Sequence, residues 1–360
     1  MRYLTAGESH GPQLTAIIEG FPAGLTIDFP ALNAELAERQ KGYGRGGRMK
    51  IETDTVECVA GVRQTVTLGS PICLVIENKD YVNWQKMMHP MEVTGEKKPQ
   101  TTPRPGHADL VGALKYNHED DVRNVLERAS ARETAIHVAM GALAQQLLQQ
   151  LDITVTSRVC RVGAYEGDEQ NQEIRRYIDQ LREAGDTVGG EVEVIVNGLP
   201  AGLGSYVHYD RKLDGILAQA VMSVNACKAV GFGLATELGK ISGSAAHDQI
   251  FYESGAFTRQ TNRTGGIEGG MSNGMPIIVR ATLKPIPTLM QPLQTVDLLT
   301  KTATASFRER SDVSVVEAFA IIVKNVVAQT IAQQLCSQLR SDTLGQLQTD
   351  VKNLRMQMKG

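Results

Sequence analysis

The side chains in this sequence best suited to chemistry are two histidines and a recurring set of arginines. His10 lies in Gly7-Glu8-Ser9-His10-Gly11, and His107 in Pro103-Arg104-Pro105-Gly106-His107-Ala108-Asp109. A glycine-flanked turn presents an imidazole to a ligand. An aspartate two residues on either closes a tight turn by a hydrogen bond to the ring or orients that ring as a general acid. The segment Arg39 to Lys50, RQKGYGRGGRMK, carries Arg39, Lys41, Arg45, Arg48 and Lys50 among four glycines with no acid, on a chain of formal net charge -3. Glycines let the backbone approach an anion closely, and guanidinium forks match phosphate and carboxylate oxygens. The pattern is that of a loop gripping a small anionic substrate. Arginines return at 104, 128, 132, 308 and 310. Arg128 and Arg132, four apart, either lie among Glu127 and Glu133 or face a bound anion.

Two familiar motifs fail on context. Gly42-x-Gly44-x-x-Gly47 spells the dinucleotide fingerprint, which has meaning only between a strand and a helix. Here a helix precedes it and an extended stretch, MKIETDTVECVAGV, follows. Gly7-x-Ser9-x-Gly11 spells the nucleophile elbow, which needs a helix directly after the serine, whereas QLTAIIEG after Pro12 reads as a strand. RNA-binding by the Arg/Gly loop would call for interleaved aromatics, and Tyr43 alone supplies one. No nucleic-acid partner is expected.

The elements that must position these groups are legible as patterns. Asp28 caps a helix with Pro30 in its first turn and Leu32 and Leu36 on one face, and Gly42 ends it. Residues 55–78 alternate short β runs with turns and end in ICLVIEN. Residues 80–105 read as a long ordered loop. A helix is expected from Asp121 to Leu151, and strands over 153–162 and 190–196. Asp210 is the candidate cap of a helix burying Leu213, Ile216, Leu217, Ala220, Val221 and Val224. Glycine-rich loops follow at 229–245 and 263–274, with a strand from Ile277 to Leu283. RERSD opens a long apolar helix from Val313 to Leu339.

With 42% hydrophobic and 21% charged residues in 360, the composition is that of a globular enzyme. Neither repeat nor linker divides it, so a single catalytic domain over 1–360 is expected, residues 341–360 forming a peripheral helical tail. Five scattered cysteines without a C-x-x-C pair favour a reducing cytoplasm over disulfides or structural zinc, and no metal is called for. No signal peptide is visible in MRYLTAGESHG, and the longest apolar run of the late helix is too short to span a bilayer, so no membrane partner is expected.

Seven blocks in order, GESHG, RQKGYGRGGRMKIE, PRPGHADL, ERASARET, GGIEGGMSNG, KPIPT and RERSDVSVVEA, resemble the chorismate synthase family over nearly the whole chain. The resemblance implies an α+β fold, a β-α-β sandwich with long helices between antiparallel sheets and extended functional loops, assembled as a homotetramer. It implies a carbon–oxygen lyase of the shikimate pathway. Such a lyase converts 5-enolpyruvylshikimate 3-phosphate to chorismate by 1,4-anti elimination of phosphate, requiring reduced FMN without net redox change. Carried over by motif, His10 would protonate or stabilise the leaving phosphate, His107 would tune the protonation of reduced flavin, and Asp312 would assist proton removal at flavin N5. Arg39, Arg45, Arg48 and Arg132 would hold substrate. Arg128, Ala129, Ser130, Asn225, Ala226, Gly269, Lys284, Pro285, Ile286, Pro287, Thr288 and Arg310 would hold flavin. Arg39 and Arg45 are also linked in the family with NADPH. With no appended module, this chain is expected to depend on an outside flavin reductase, NADPH acting only indirectly. A nicotinamide or flavin oxidoreductase is the alternative enzyme class, distinguished by net nicotinamide turnover without phosphate release.

Overall fold

The computed structural model describes residues 1–46, 53–95, 98–307 and 312–357. Period-two burial in Gln13–Glu19 and Ile72–Glu77 puts Leu14, Ala16, Ile18, Ile72, Leu74 and Ile76 on one face. These strands sit at the centre of an antiparallel sheet in the order Arg2–Ala6, Gln13–Glu19, Ile72–Glu77, Val56–Ala60. A second antiparallel sheet runs Cys227–Phe232, Ile277–Leu283, Gly190–Asn197, Thr154–Val162, Tyr165–Glu166.

Helices fill the space between. Thr134–Gln149 packs on the first sheet, Val316–Gln338 on the second, and the two pack on each other with Phe29–Gln40 alongside. This is the expected β-α-β sandwich. The two central helices approach closely at Gly141, where a Cβ would lie 2.4 Å from Asn325 Cβ. Fully buried Asn325 accepts from Gln145 Nε2 at 2.8 Å and donates to the Ile321 carbonyl, so its amide is satisfied inside the core. One hydrophobic cluster runs continuously through both sheets and these helices. Each fully buried Leu, Ile or Phe in it contributes about 1.5–3 kcal/mol. Val316–Gln338 is long and apolar enough to cross a bilayer, but 78% of its apolar window is buried inside the protein, which marks a core helix.

Asp28 caps the first helix as expected, its Oδ1 accepting from Ala31 N at 2.9 Å, with Leu32 and Leu36 buried. The tail forms the helix Leu344–Gln357, burying Leu347 and Val351. Several expectations need correction. The 80–105 stretch is not all loop: Tyr81–Met88 is a helix. The Asp121–Leu151 helix is broken, into Arg123–Ala129, a 3₁₀ turn Ala131–Glu133 and Thr134–Gln149, because Ser130 is extended (ψ 141) and its side chain accepts from Arg132 N. Asp210 is not a cap: it lies in a 3₁₀ turn, Tyr209–Arg211, ahead of the helix Leu213–Met222. Residues 229–232 of the supposed loop belong to a strand, Cys227–Phe232, added to the second sheet. The helices Asp109–Tyr116 and Gln172–Ala184 and the hairpin Ile250–Glu253/Ala256–Arg259 went unread.

Candidate active site

The His10 turn joins the first two strands of the first sheet, so its helix-free context removes the nucleophile-elbow reading. His10 is buried. Its Nδ1 lies 2.9 and 3.0 Å from the two Glu127 carboxylate oxygens, and its backbone N–H donates to Glu127 Oε2 at 2.8 Å. The ring stacks on Trp84, centroids 3.9 Å apart, and the Arg123 guanidinium covers Trp84 at 5.0 Å. Burial works against ionisation of Glu127, but the hydrogen bonds and charge of His10 outweigh it, and the carboxyl is held below its ordinary range. Asn78 braces the turn from below: its Nδ2 donates to the carbonyls of Glu8 and Gly11 at 3.1 and 2.8 Å, and its Oδ1 accepts from Arg132 Nε at 2.8 Å.

Arg132 leads to the second cluster. Its Nη1 donates to both oxygens of the buried Asp54 at 2.7 and 2.8 Å. Arg39, at the end of the first helix, donates to Thr134 Oγ1 and the Ala131 carbonyl and lies 3.6 Å from Asp54. Burial pulls Arg39 down to about 10, against the attraction of Asp54, which leaves it cationic at neutral pH. Arg45 pairs with Asp312 at 3.4 Å, Gly46 N donates to the same carboxylate, and Val313 N donates to the Gly44 carbonyl. Tyr43 anchors the loop outward: its hydroxyl donates to Asp179 at 2.8 Å, and Arg175 and Arg182 flank its ring. The break at Ser130 sends the paired arginines apart, Arg132 to Asp54 and Arg128 to Glu133 at 2.7 Å, so they do not share one face.

The second histidine has its own carboxylate. His107 Nδ1 lies 2.5 Å from Asp109 Oδ1, and Arg104 donates to both oxygens of that aspartate. Burial opposes ionisation of Asp109, yet these partners hold its carboxyl at about 2. Arg104 also reaches Thr288 Oγ1 at 3.1 Å and lies over Phe307. Lys284 donates to the Gly106 carbonyl at 2.6 Å, and its backbone N–H to Ala226, a non-glycine residue in the left-handed region at φ 63. The Ile286 carbonyl accepts from Thr187, and Pro287 packs beside Gly106. Asn225 donates to the Ala129 carbonyl at 3.1 Å, Ser130 meets Ser9 at 3.2 Å, and Arg128 holds the Gly7 and Thr5 carbonyls. One chain of contacts thus links 284–288, 104–109, 225–226 and 128–130 to the His10 turn.

Comparison with known proteins decides the family. The chorismate synthase family profile matches residues 1–336. Chorismate synthase from Lactococcus lactis subsp. lactis (strain IL1403) is 48% identical, covering 99% of each chain. Chorismate synthase from Bacillus pumilus (strain SAFR-032) is 50% identical over 99% of this chain and 98% of its own. A crystal structure of a chorismate synthase superposes with TM-score 0.80 at 35% identity, covering 99% of this chain and 98% of that one. The chain belongs to the chorismate synthase family. It is accordingly a lyase of the shikimate pathway, eliminating phosphate from 5-enolpyruvylshikimate 3-phosphate to give chorismate, in a family that uses reduced FMN.

The linked contacts offer a phosphorylated cofactor a suitable donor set: cations at Arg128 and Lys284, hydroxyls at Ser130 and Thr288, an amide at Asn225. These residues fit FMN. Gly269 stands apart in the hairpin Ile267–Glu268/Met271–Ser272, with open space where a Cβ would be. Arg48 and Arg310 lie outside the described residues. Sequence reasoning missed Asp54, Asn78, Trp84 and Glu127 as members of the site. Only Glu127 left a trace, as an acid beside the arginine pair.

Proposed function

We propose that Arg39, Arg45 and Arg132, with Arg48 from the same loop, hold the substrate's phosphate and carboxylates, and that His10 delivers a proton to the departing phosphate. The supporting observation is Asn78, which braces the His10 turn and the Arg132 guanidinium with one side chain. A proton donor and an anion grip on a common support keep their separation, as an elimination with a phosphate leaving group demands. Each charge-assisted hydrogen bond to substrate would contribute about 1.5–3 kcal/mol. Reduced FMN, when bound, supplies the electron density that assists cleavage of the allylic C–O bond. Arg128, Ala129, Ser130, Asn225, Ala226, Gly269, Lys284 to Thr288 and Arg310 are the residues assigned to hold it. His107, fixed by Asp109, would tune the protonation of that cofactor, and Asp312 would assist removal of the proton from its N5.

The same reading has one catalytic domain over the whole chain, acting in the cytoplasm as a homotetramer. The exposed pair Leu4 and Ile17, opposite one another on the outer face of the first sheet, supports assembly through that sheet. Flavin reduction is assigned to an outside reductase, with NADPH acting only indirectly.

Anaerobic incubation with 5-enolpyruvylshikimate 3-phosphate and reduced FMN is expected to release chorismate and phosphate in equal amounts. Absence of both would sink the function. His10→Ala should lower kcat by about 10²–10⁴ with flavin titration unchanged. His107→Ala at full rate would remove that assignment. Arg45→Ala should raise KM for substrate far more than it weakens flavin binding, and the opposite split would move the loop to the cofactor. Robust turnover with NADPH and oxidised FMN alone would refute the outside reductant.

A further inference from the structure

We propose that Glu127 is the positioning residue of His10, holding Nδ1–H against its carboxylate so that Nε2 is the nitrogen that exchanges a proton with substrate. The inference rests on the reading of His10 given above and adds a residue to which that reading gives no part.

The geometry carries it. Glu127 grips the turn at three points: its backbone carbonyl accepts from Ser9 N at 2.9 Å, its Oε2 from His10 N at 2.8 Å, and its carboxylate receives the ring Nδ1. Both side chains are almost wholly buried, 8% and 3% exposed, so water does not compete for these bonds. A plain structural tie to the turn would need the backbone contacts only. The ring contact adds a choice of tautomer. An ionised carboxylate accepts and does not donate, so the neutral imidazole must carry its proton on Nδ1 and its lone pair on Nε2. The same carboxylate stays against Nδ1–H when Nε2 takes a proton, so the ring keeps its orientation in both states.

Ring orientation is fixed from the other side by a closed set of contacts. Trp84 stacks on His10, Arg123 covers Trp84, and Arg123 Nη1 returns to Glu127 Oε1 at 3.3 Å. Trp84 is itself held by Nε1 donating to Asp80 at 3.1 Å. The charged groups around the pair are therefore Arg123 on the same helix as Glu127, Asp80 at the start of the Trp84 helix, Glu8 within the turn, and Arg132 beyond Asn78. Of these, Glu127 hydrogen-bonds the His10 ring.

Glu127→Gln keeps the size and one acceptor but removes the charge and the obligate acceptor character. It should lower kcat about 10- to 100-fold at little change in KM or in reduced-flavin binding. Because Glu127 acts through His10, Glu127→Gln combined with His10→Ala should be no slower than His10→Ala alone. A wild-type rate in Glu127→Gln, or a full additive loss in the double variant, overturns the proposal. If instead His10→Ala itself turns over at full rate, the underlying assignment of His10 fails. A readout independent of turnover covers the case in which Glu127→Gln does not fold. In the ¹⁵N-histidine spectrum of the unsubstituted protein, with His10→Ala for assignment, the neutral His10 ring should be the Nδ1–H tautomer. A neutral Nε2–H ring would refute the inference.

Discussion

Asp54→Ala is expected to destabilise the protein by about 3–5 kcal/mol, among the largest effects of any single substitution at the site, although no motif contains it. The carboxylate is fully buried and lies between two buried guanidinium groups, Arg132 at 2.7 Å and Arg39 at 3.6 Å. Removing it leaves two like charges facing each other away from water. That is worse than deleting either arginine, which would leave a single pair intact. The same argument gives a second readout. Two buried arginines that have lost a shared carboxylate make an anion site, so inorganic phosphate should raise the unfolding midpoint of the variant more than that of the unsubstituted protein, by mass action on the folded state. Chemical unfolding with and without phosphate checks both. A loss below about 1 kcal/mol, or an equal response of both proteins to phosphate, would mean that the arginines are held by other contacts and that Asp54 is incidental.

The difference between Asp54 and the arginines also marks where sequence reading stops. Local rules carried the frame well: Asp28 as a cap, the period-two strands Gln13–Glu19 and Ile277–Leu283, and the buried Val316–Gln338 helix all follow from signals within one element. The histidine turns and arginine loop were visible because glycine and charge cluster along the chain. Their partners were not. Arg132 meets Asp54 across 78 residues and His10 meets Glu127 across 117; nothing near Asp54 distinguishes it from a solvated acid, and Glu127 shows only as an acid beside the arginine pair. The break at Ser130 was missed for a related reason. Propensity favours a continuous helix through ERASARETA, and the gain that breaks it lies in tertiary contacts: Arg132 with Asp54, and Arg128 with the Gly7 and Thr5 carbonyls. Tyr81–Met88 buries no residue fully, so no apolar stripe announced it.

Glu317 supplies the other large effect, and its sign runs opposite to that of most acids. It sits in the first turn of the core helix against the arginine loop. Gly42, at φ 123, is close enough that a Cβ there would lie 3.2 Å from the carboxylate. Both carboxylate oxygens are buried, with no side-chain hydrogen-bond partner among the described residues. Burial pushes its carboxyl up from 4.5 to about 7, aided by the nearby charges of Glu169 and Asp168, with its own backbone N–H and Arg45 pulling the other way. A raised carboxyl binds more protons in the folded than in the unfolded chain. Its contribution is therefore complete below about pH 4.5 and is lost as pH rises through about 7. The shift corresponds to about 3 kcal/mol. Glu317→Gln removes the ionisation and keeps the shape. It should match the unsubstituted protein near pH 4.5 and exceed it by about 3 kcal/mol at pH 8. Urea unfolding at the two pH values decides the matter, and an unchanged pH slope in the variant would show that Glu317 stays ionised and solvated in the folded chain. The substitution also probes the loop. At pH 8 an ionised Glu317 competes with Asp312 for Arg45, so the variant should bind substrate at least as tightly as the parent there. Weaker binding would mean that the Glu317 anion helps to hold the loop in place.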